Sequence, residues 1–229
     1  MKSKMLTHLL AAFMVLFLFA CDPAEDNSPK RLQIESIGFS GTLPEGMDFG
    51  KTGLVATNAV GGSANSQDGS FIYHGLVITD TLSNVSISMD LPQVKYSPAF
   101  ILGHEDDGSE LKQIARQYYA YDKVKQKLRM GDKILYGFNT ANADTSSFGI
   151  QIHNNTNYTG FVSQGPNQTG SFLKVVELVE GTEPDPVLGS VKTLEVIFDL
   201  DIKMYDPQSA VPKPPTKMTG LLRMKYREF

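Results

Sequence analysis

The chain has 229 residues and a formal net charge of −4 at pH 7, with 21 Lys and Arg against 25 Asp and Glu. A mildly acidic protein lacks a general electrostatic attraction to nucleic acid, so we expect no nucleic-acid partner. Hydrophobic residues make up 41% of the chain, which is enough to form a core and excludes wholesale disorder.

The first 20 residues have the arrangement of a secretion signal. Lys2 and Lys4 give a basic start, and a nearly uncharged apolar run follows over residues 5–20. The run is shorter than the roughly 20 apolar residues that a spanning helix needs, and it ends in a small residue. These features predict a signal peptide over residues 1–20 rather than a buried N-terminal helix.

The end of this run carries the main site prediction. Leu18-Phe19-Ala20-Cys21 resembles the bacterial lipobox, in which a Leu is followed two residues later by a small residue and then by Cys. The resemblance implies that Cys21 becomes the first residue of a lipoprotein and carries acyl chains such as palmitate. Cys21 is also the sole cysteine, so no disulfide can form within the chain. Two or three acyl chains suffice for stable membrane anchoring, since each buried methylene contributes about 0.8 kcal/mol.

Residues 21–31 form a predicted acidic tether. After Cys21 the chain reads DPAEDNSPK, which is polar, contains two prolines and has no hydrophobic period. Acids just after a lipidated cysteine also resemble the surface-export signal of Bacteroidota lipoproteins, with Asp22, Glu25 and Asp26 as its acids. The resemblance implies a cell-envelope protein anchored to the outer membrane. An ordinary solvated linker is the alternative, so it stays open whether the domain faces the periplasm or the cell surface.

From Arg31 onward the dominant hydrophobic period is two, which indicates β-strands. Segments 53–58 and 71–79 flank a stretch rich in Gly, Asn and Asp, and segment 85–91 alternates until Pro92 stops it. These three consecutive segments predict an antiparallel meander.

One segment has helical spacing instead. Apolar residues recur at intervals of three and four at Leu111, Ile114, Tyr118, Tyr121, Val124 and Leu128. Asp107 and Glu110 match a capping box, and Gly131 matches a helix stop. We therefore predict an amphipathic helix over about 108–130, with a strand through the tyrosine cluster as the alternative.

The polar face of this predicted helix is basic. Its cations, which we call the predicted basic face, are Lys112, Arg116, Lys123, Lys125, Lys127 and Arg129. They form a candidate face for an anionic partner, such as the phosphates of lipid A or another envelope component. A simply solvated helix face is the alternative.

The second half returns to strand patterns. Phe148, Ile150 and Ile152 alternate, residues 172–179 form another predicted strand, and residues 181–186 (GTEPDP) read as a turn. Residues 193–204 and 218–227 then alternate over long stretches, separated by a proline-rich loop. We predict an antiparallel hairpin whose outer faces carry acids on one strand and bases on the other, in cross-strand pairs.

At least seven strands and one helix predict a mainly β fold. It is an antiparallel β-sandwich or a partly closed barrel with one amphipathic helix inserted, formed as a single domain by residues 32–229. The chain resembles a group of Bacteroidota lipoproteins with a β-rich domain of unknown function, and the resemblance lies in segments 69–92, 97–103 and 220–229. The resemblance implies location and fold, and no activity.

We identify no catalytic, cofactor or metal motif. His74, His104 and His153 are isolated, and the acidic run over 104–110 lacks the ligand spacing of a calcium loop. Asp199 and Asp201 share the wet face of a strand, where solvated acids are more common than a glycosidase pair. Nucleophile elbows, phosphate-binding loops and zinc-protease motifs are absent.

A short tripeptide supplies one candidate modification site. Asp80-Thr81-Leu82 resembles the O-glycosylation motif of Bacteroidota exported proteins, which implies Thr81 as the acceptor. Three matching residues also arise by chance in a polar turn.

The sequence thus predicts a membrane-anchored envelope lipoprotein with a non-enzymatic binding or scaffolding domain. A small-ligand carrier with a barrel pocket is the first alternative, and a hydrolase with an unrecognised site is the second. An interior cavity of several hundred Å³ would favour the carrier.

Overall fold

A computed structural model describes residues 34–45, 47–63, 70–96, 115–135, 147–209 and 213–228. The predicted signal peptide, Cys21 and the tether lie outside these ranges. So do Lys112, His104 and the predicted capping residues Asp107 and Glu110.

The described chain is mostly β-structure. The strands are β1 (Gly38–Thr42), β2 (Leu54–Ser63), β3 (Ser70–Asp80), β4 (Val85–Asp90), β5 (Val94–Tyr96), β6 (Gly131–Leu135), β7 (Ser147–Asn154), β8 (Thr159–Val162), β9 (Phe172–Asp185), β10 (Gly189–Met204) and β11 (Thr216–Arg227). They join in one sheet in the order β1-β11-β10-β9-β6-β7-β4-β3-β2, with β5 added to β3 and β8 to β7. Almost every pair is antiparallel, which confirms the predicted fold class.

The sheet curls toward closure but does not close into a barrel. Its edge strands are β1 and β2. The side chain of Asn58 on β2 donates from Nδ2 to the carbonyl of Arg227 on β11 at 3.0 Å, so the β2 edge reaches across to β11. No ladder joins these two strands within the described residues. Of the two predicted forms, this corresponds to the partly closed barrel.

Alternation along the strands places one face in the core, as predicted. On β4, Val85, Ile87 and Met89 are buried while the intervening polar residues are half-buried. β10 buries the predicted face from Leu194 onward, with Leu194, Val196, Phe198, Leu200, Ile202 and Met204 buried. Ile197 on the opposite face is buried as well. The predicted meander is confirmed by the antiparallel pairing of β2 with β3 and of β3 with β4.

The predicted β10–β11 hairpin is also confirmed, and one of its charge pairs lies where we expected. Arg223 on β11 contacts Glu195 on β10 at 2.7 Å. Lys225 instead pairs with Glu183 on β9, and Arg227 lies 2.6 Å from the same carboxylate. Arg227 extends across β10 because the short Thr193 lies opposite it. Lys225 lies opposite Glu195, whose carboxylate is engaged by Arg223, and it reaches Glu183 instead.

The turn predicted over residues 181–186 is wrong. β9 continues to Asp185, and the chain reverses at residues 186–188. Pro184 lies opposite Ser190 of β10. On its other side β9 pairs with β6 only at residues 173–175, so no second described strand lies beside Pro184. Its missing N–H therefore removes no bond from a second ladder.

The continuous helix predicted over about 108–130 is also wrong in the part that is described. One helical turn covers residues 115–118, the chain is extended at Ala120 with ψ 151°, and the helix α1 (Tyr121–Lys127) follows. Gly131, with φ +112°, begins β6 rather than capping the helix. No helix among the described residues combines the length and the apolar character needed to cross a bilayer.

This break changes which tyrosines enter the core. Tyr119 is fully buried, whereas Tyr118, which the helical period placed on the apolar stripe, is only partly buried. The Tyr119 hydroxyl lies 2.9 Å from the carbonyl oxygens of both Ile72 and Pro92, and Tyr226 donates to the Tyr119 carbonyl at 2.7 Å. These bonds hold the segment before α1 against the inside of the sheet.

β6 joins the two halves of the sheet and was not predicted. It pairs in parallel with β7 and antiparallel with β9. Its side chains alternate between half-buried and exposed, with none fully buried, so the strand lacks the hydrophobic signature of its neighbours. The position of β6 brings the end of α1 beside β7 and thereby forms the site described next.

Candidate binding groove

A surface groove of about 920 Å³ lies beside α1 and β6. We call it the basic groove, and its lining residues are Pro92, Val94, Tyr118, Lys123, Gln126, Lys127, Arg129, Met130, Asp132, Lys133, Ile134 and Phe148. The volume falls within the range of roughly 300–1,000 Å³ typical of small-molecule sites.

Local structure explains why the cations converge. Lys123 and Lys127 are four residues apart on α1 and so share one helix face. Val124 and Leu128 are fully buried, which turns this face outward. The chain then bends into β6, where Lys133 donates from Nζ to the Arg129 carbonyl at 2.5 Å.

The groove has a strong excess of positive charge. Its lining contains a single acid, Asp132, and four cations, which are Lys123, Lys127, Arg129 and Lys133. None of the four cations forms an ion pair within the described part of the chain. Burial, and then the neighbouring Lys123, lowers the pKa of Lys127. Burial, and then Arg129, lowers the pKa of Lys133. Asp132 acts on Lys133 in the opposite direction, as the one acid of the lining. Both ammonium groups are thus partly removed from water and each lies beside another cation, a state that a bound anion would relieve.

The rest of the lining is largely apolar. Phe148 is buried at the base, while Met130 and Ile134 expose 59% and 58% of their surface at the rim. The Lys123 ammonium lies 5.5 Å from the Tyr118 ring centroid, in the range of a cation–π contact. The groove thus places cationic groups directly beside apolar surface.

The predicted basic face is divided by the fold. Lys123, Lys127 and Arg129 line the basic groove, whereas Arg116 is exposed outside its lining. Lys125 points elsewhere and pairs at 2.6 Å with Glu180 on β9. Lys133 was missed because it follows the predicted helix stop, although the basic run KQKLRMGDK continues through it.

Thr81 lies in the turn between β3 and β4. Its side chain is exposed, and its hydroxyl donates to the Gly53 carbonyl at 2.8 Å. The neighbouring Asp80 is buried and accepts hydrogen bonds from Ser83 Oγ at 2.6 Å and from the Leu82 N–H at 2.8 Å. The Ser83 hydroxyl bond and the backbone N–H bonds lower the pKa of Asp80 to about 2. Asp80 therefore has a structural role in the turn, and O-glycosylation at Thr81 stays a prediction.

The strongest arrangement for hydrolysis lies on the outer face of β4 and β7. Gln151 donates from Nε2 to Asp90 at 2.6 Å, and its Oε1 lies 3.1 Å from Nε2 of His153. Ser88 Oγ contacts Asp90 at 3.4 Å rather than His153. Burial raises the pKa of Asp90. A nucleophilic triad needs the hydroxyl on the histidine and the histidine on the acid, and this chain has a glutamine between them.

The other candidate catalytic and metal-binding residues either form ion pairs or lie far apart. Asp201 pairs with Lys217 at 3.0 Å, so it is not poised beside Asp199 as a catalytic acid. Within the described ranges, no three His, Cys, Asp or Glu side chains gather in a way that would hold a metal ion. Comparison of the chain with protein-family models, curated proteins and solved structures gave no match.

Proposed function

We propose that this chain is a membrane-anchored envelope lipoprotein whose β-rich domain is a non-enzymatic binding module, with the basic groove as its ligand site. The observation that carries the proposal is the convergence of four cations with no ion pair among the described residues. Like charges held close together without a compensating ion pair are unfavourable, and such clusters are typical of binding surfaces rather than of structural ones.

The interior of the domain supports a surface site over a barrel pocket. Large side chains fill the inside of the curled sheet, and Tyr119, Tyr226, Phe198 and Leu76 are among those that are fully buried. The basic groove lies outside this core. A carrier that encloses its ligand in the barrel would need to displace these packed residues.

The anchor is tested by labelling. Cells that express the full chain and are fed radiolabelled palmitate should incorporate label, and Cys21→Ala should abolish it, because no other cysteine could carry the lipid. Fractionation should find the labelled protein in the outer membrane. Label that persists in the Cys21→Ala variant would contradict the proposed lipidation.

The groove is tested by anion binding to the full chain purified in a non-ionic detergent. We expect calorimetry to detect a phosphate-bearing probe, and we expect the double substitution Lys127→Gln with Lys133→Gln to weaken binding about thirtyfold at low salt, at about 1 kcal/mol per cation. Lys51→Gln with Lys217→Gln is the matched control, since both lysines are exposed and outside the groove. Equal loss in both double variants would show only a general charge effect and would refute a specific site.

A further inference from the structure

The basic groove combines two chemistries that a simple anion would not use. Its cations come from α1, from the bend that follows it and from β6, and its apolar residues come from the β4–β5 segment, from the same bend, from β6 and from β7. Met130 and Ile134 leave more than half of their surface in contact with water although both line a concave site. Apolar surface next to cationic groups in one groove matches a ligand with an acidic head and an apolar tail.

We propose that the ligand of the basic groove is a single-chain anionic amphiphile, with its phosphate or carboxylate head at Lys127 and Lys133 and its alkyl chain along Met130 and Ile134. This inference rests on the proposed function, because it names the class of ligand for the same site.

The charge distribution places the head. Lys127 and Lys133 are both partly removed from water, and each has a cationic neighbour, Lys123 and Arg129 respectively. An acidic head group would place opposite charge between these cations and accept hydrogen bonds from both ammonium groups. The single acid of the lining, Asp132, is exposed on β6 and lies in register with Lys174 of β9.

The apolar lining places the tail. Covering the exposed surface of Met130 and Ile134 removes apolar area from water, which gives an alkyl chain an advantage over a head group alone. The site is also concave and of small-ligand volume, whereas the surface of a bilayer would contact protruding residues. One amphiphile therefore fits the groove better than a membrane surface does.

Three probes of matched chemistry test this inference on the full chain in a non-ionic detergent. Hexyl phosphate carries head and tail, inorganic phosphate carries the head alone, and hexan-1-ol carries the tail alone. We expect hexyl phosphate to bind at least tenfold more tightly than either of the other probes, since each buried methylene adds up to about 0.8 kcal/mol.

Two pairs of variants separate the head from the tail. Lys127→Gln with Lys133→Gln should weaken binding of both phosphates. Met130→Ser with Ile134→Ser should weaken hexyl phosphate about tenfold and leave inorganic phosphate unchanged. Val187→Ser with Leu188→Ser is the control, because these apolar residues are also more than half exposed, at the β9–β10 turn, and lie outside the groove. Thermal melts by circular dichroism confirm that each variant is folded.

The outcomes distinguish the two proposals. If inorganic phosphate binds as tightly as hexyl phosphate and the lysine variant loses both, the amphiphile is refuted and the proposed anion site stands. If the serine variant binds hexyl phosphate as well as the wild type does, the tail position is refuted. If none of the probes binds, or if binding is unchanged in every groove variant, both proposals fail.

Discussion

Acidification should destabilise this protein through one buried histidine. His74 on β3 is fully buried, and its ring centroid lies 5.3 Å from that of Tyr119 and 5.5 Å from that of Tyr226. Burial lowers the pKa of His74 from 6.5 to about 4. The folded protein therefore keeps the imidazole neutral at pH values where the unfolded chain would bind a proton.

The sign and size of the effect follow from linkage. Because the pKa of His74 is lower in the folded state, its contribution is fully present above pH 6.5 and is lost as the pH falls toward 4. Each unit of pKa difference corresponds to about 1.4 kcal/mol, so the free energy of unfolding should fall by about 2.5 kcal/mol between pH 7.5 and pH 4.5. Asp90 acts in the opposite sense, since its raised pKa favours the folded state as the pH falls.

The assay compares the pH dependence of variants, so that contributions shared by all of them cancel. Urea unfolding followed by far-ultraviolet circular dichroism at a series of pH values gives the free energy of unfolding for each variant. His74→Gln should show a shallower decline than the wild type, whatever its absolute stability. Parallel curves for the wild type and His74→Gln over this range would refute the assignment of the acid sensitivity to His74.

Two further substitutions test the packing that holds the sheet together. Gly220→Ala should lower the free energy of unfolding by about 2–5 kcal/mol, because φ is +138° there and a Cβ would lie 2.2 Å from the Ser40 carbonyl oxygen. Hydrogen exchange of the β1 amides should become faster in this variant. Gly189→Ala, where a Cβ would meet nothing within 4 Å, should lower the free energy of unfolding by only about 1–2 kcal/mol. Tyr119→Phe should cost about 1–3 kcal/mol in urea unfolding, because the buried carbonyls of Ile72 and Pro92 share its single hydroxyl proton and would lose it. Tyr118→Phe at the groove should leave stability within about 0.5 kcal/mol of the wild type. Equal costs within either pair would contradict the packing described.

Local pattern was sufficient to predict the strands that neighbour each other along the chain. The alternation of apolar and polar residues in β4 and β10 predicts which face each strand buries, because successive side chains point to opposite sides of a sheet. The β10–β11 hairpin follows from the same pattern, since a polar, proline-rich loop separates two long alternating strands. The positive charge of residues 123–129 was likewise visible in the sequence.

The composition of the groove could not be predicted in the same way. Lys123 and Lys125 both belong to the predicted basic face, yet Lys123 lines the groove and Lys125 pairs with Glu180, which lies 55 residues further along the chain. Lys133 enters the groove only because β6 pairs with β7 and β9. The prediction of a continuous helix also placed Tyr118 in the core, whereas the break in the helix buries Tyr119 instead.

The sequence by itself therefore determined the mainly β class, the buried face of each long strand and the presence of a basic segment near its middle. The tertiary structure alone decided where the helix breaks, which strands from distant parts of the chain become neighbours and which cations share a groove. The physical reason is the range of the interactions. Hydrophobic alternation and turn chemistry act between residues close in sequence, whereas the β6–β7 pair and the Tyr119 hydrogen bonds to Ile72 and Pro92 form only when distant segments meet.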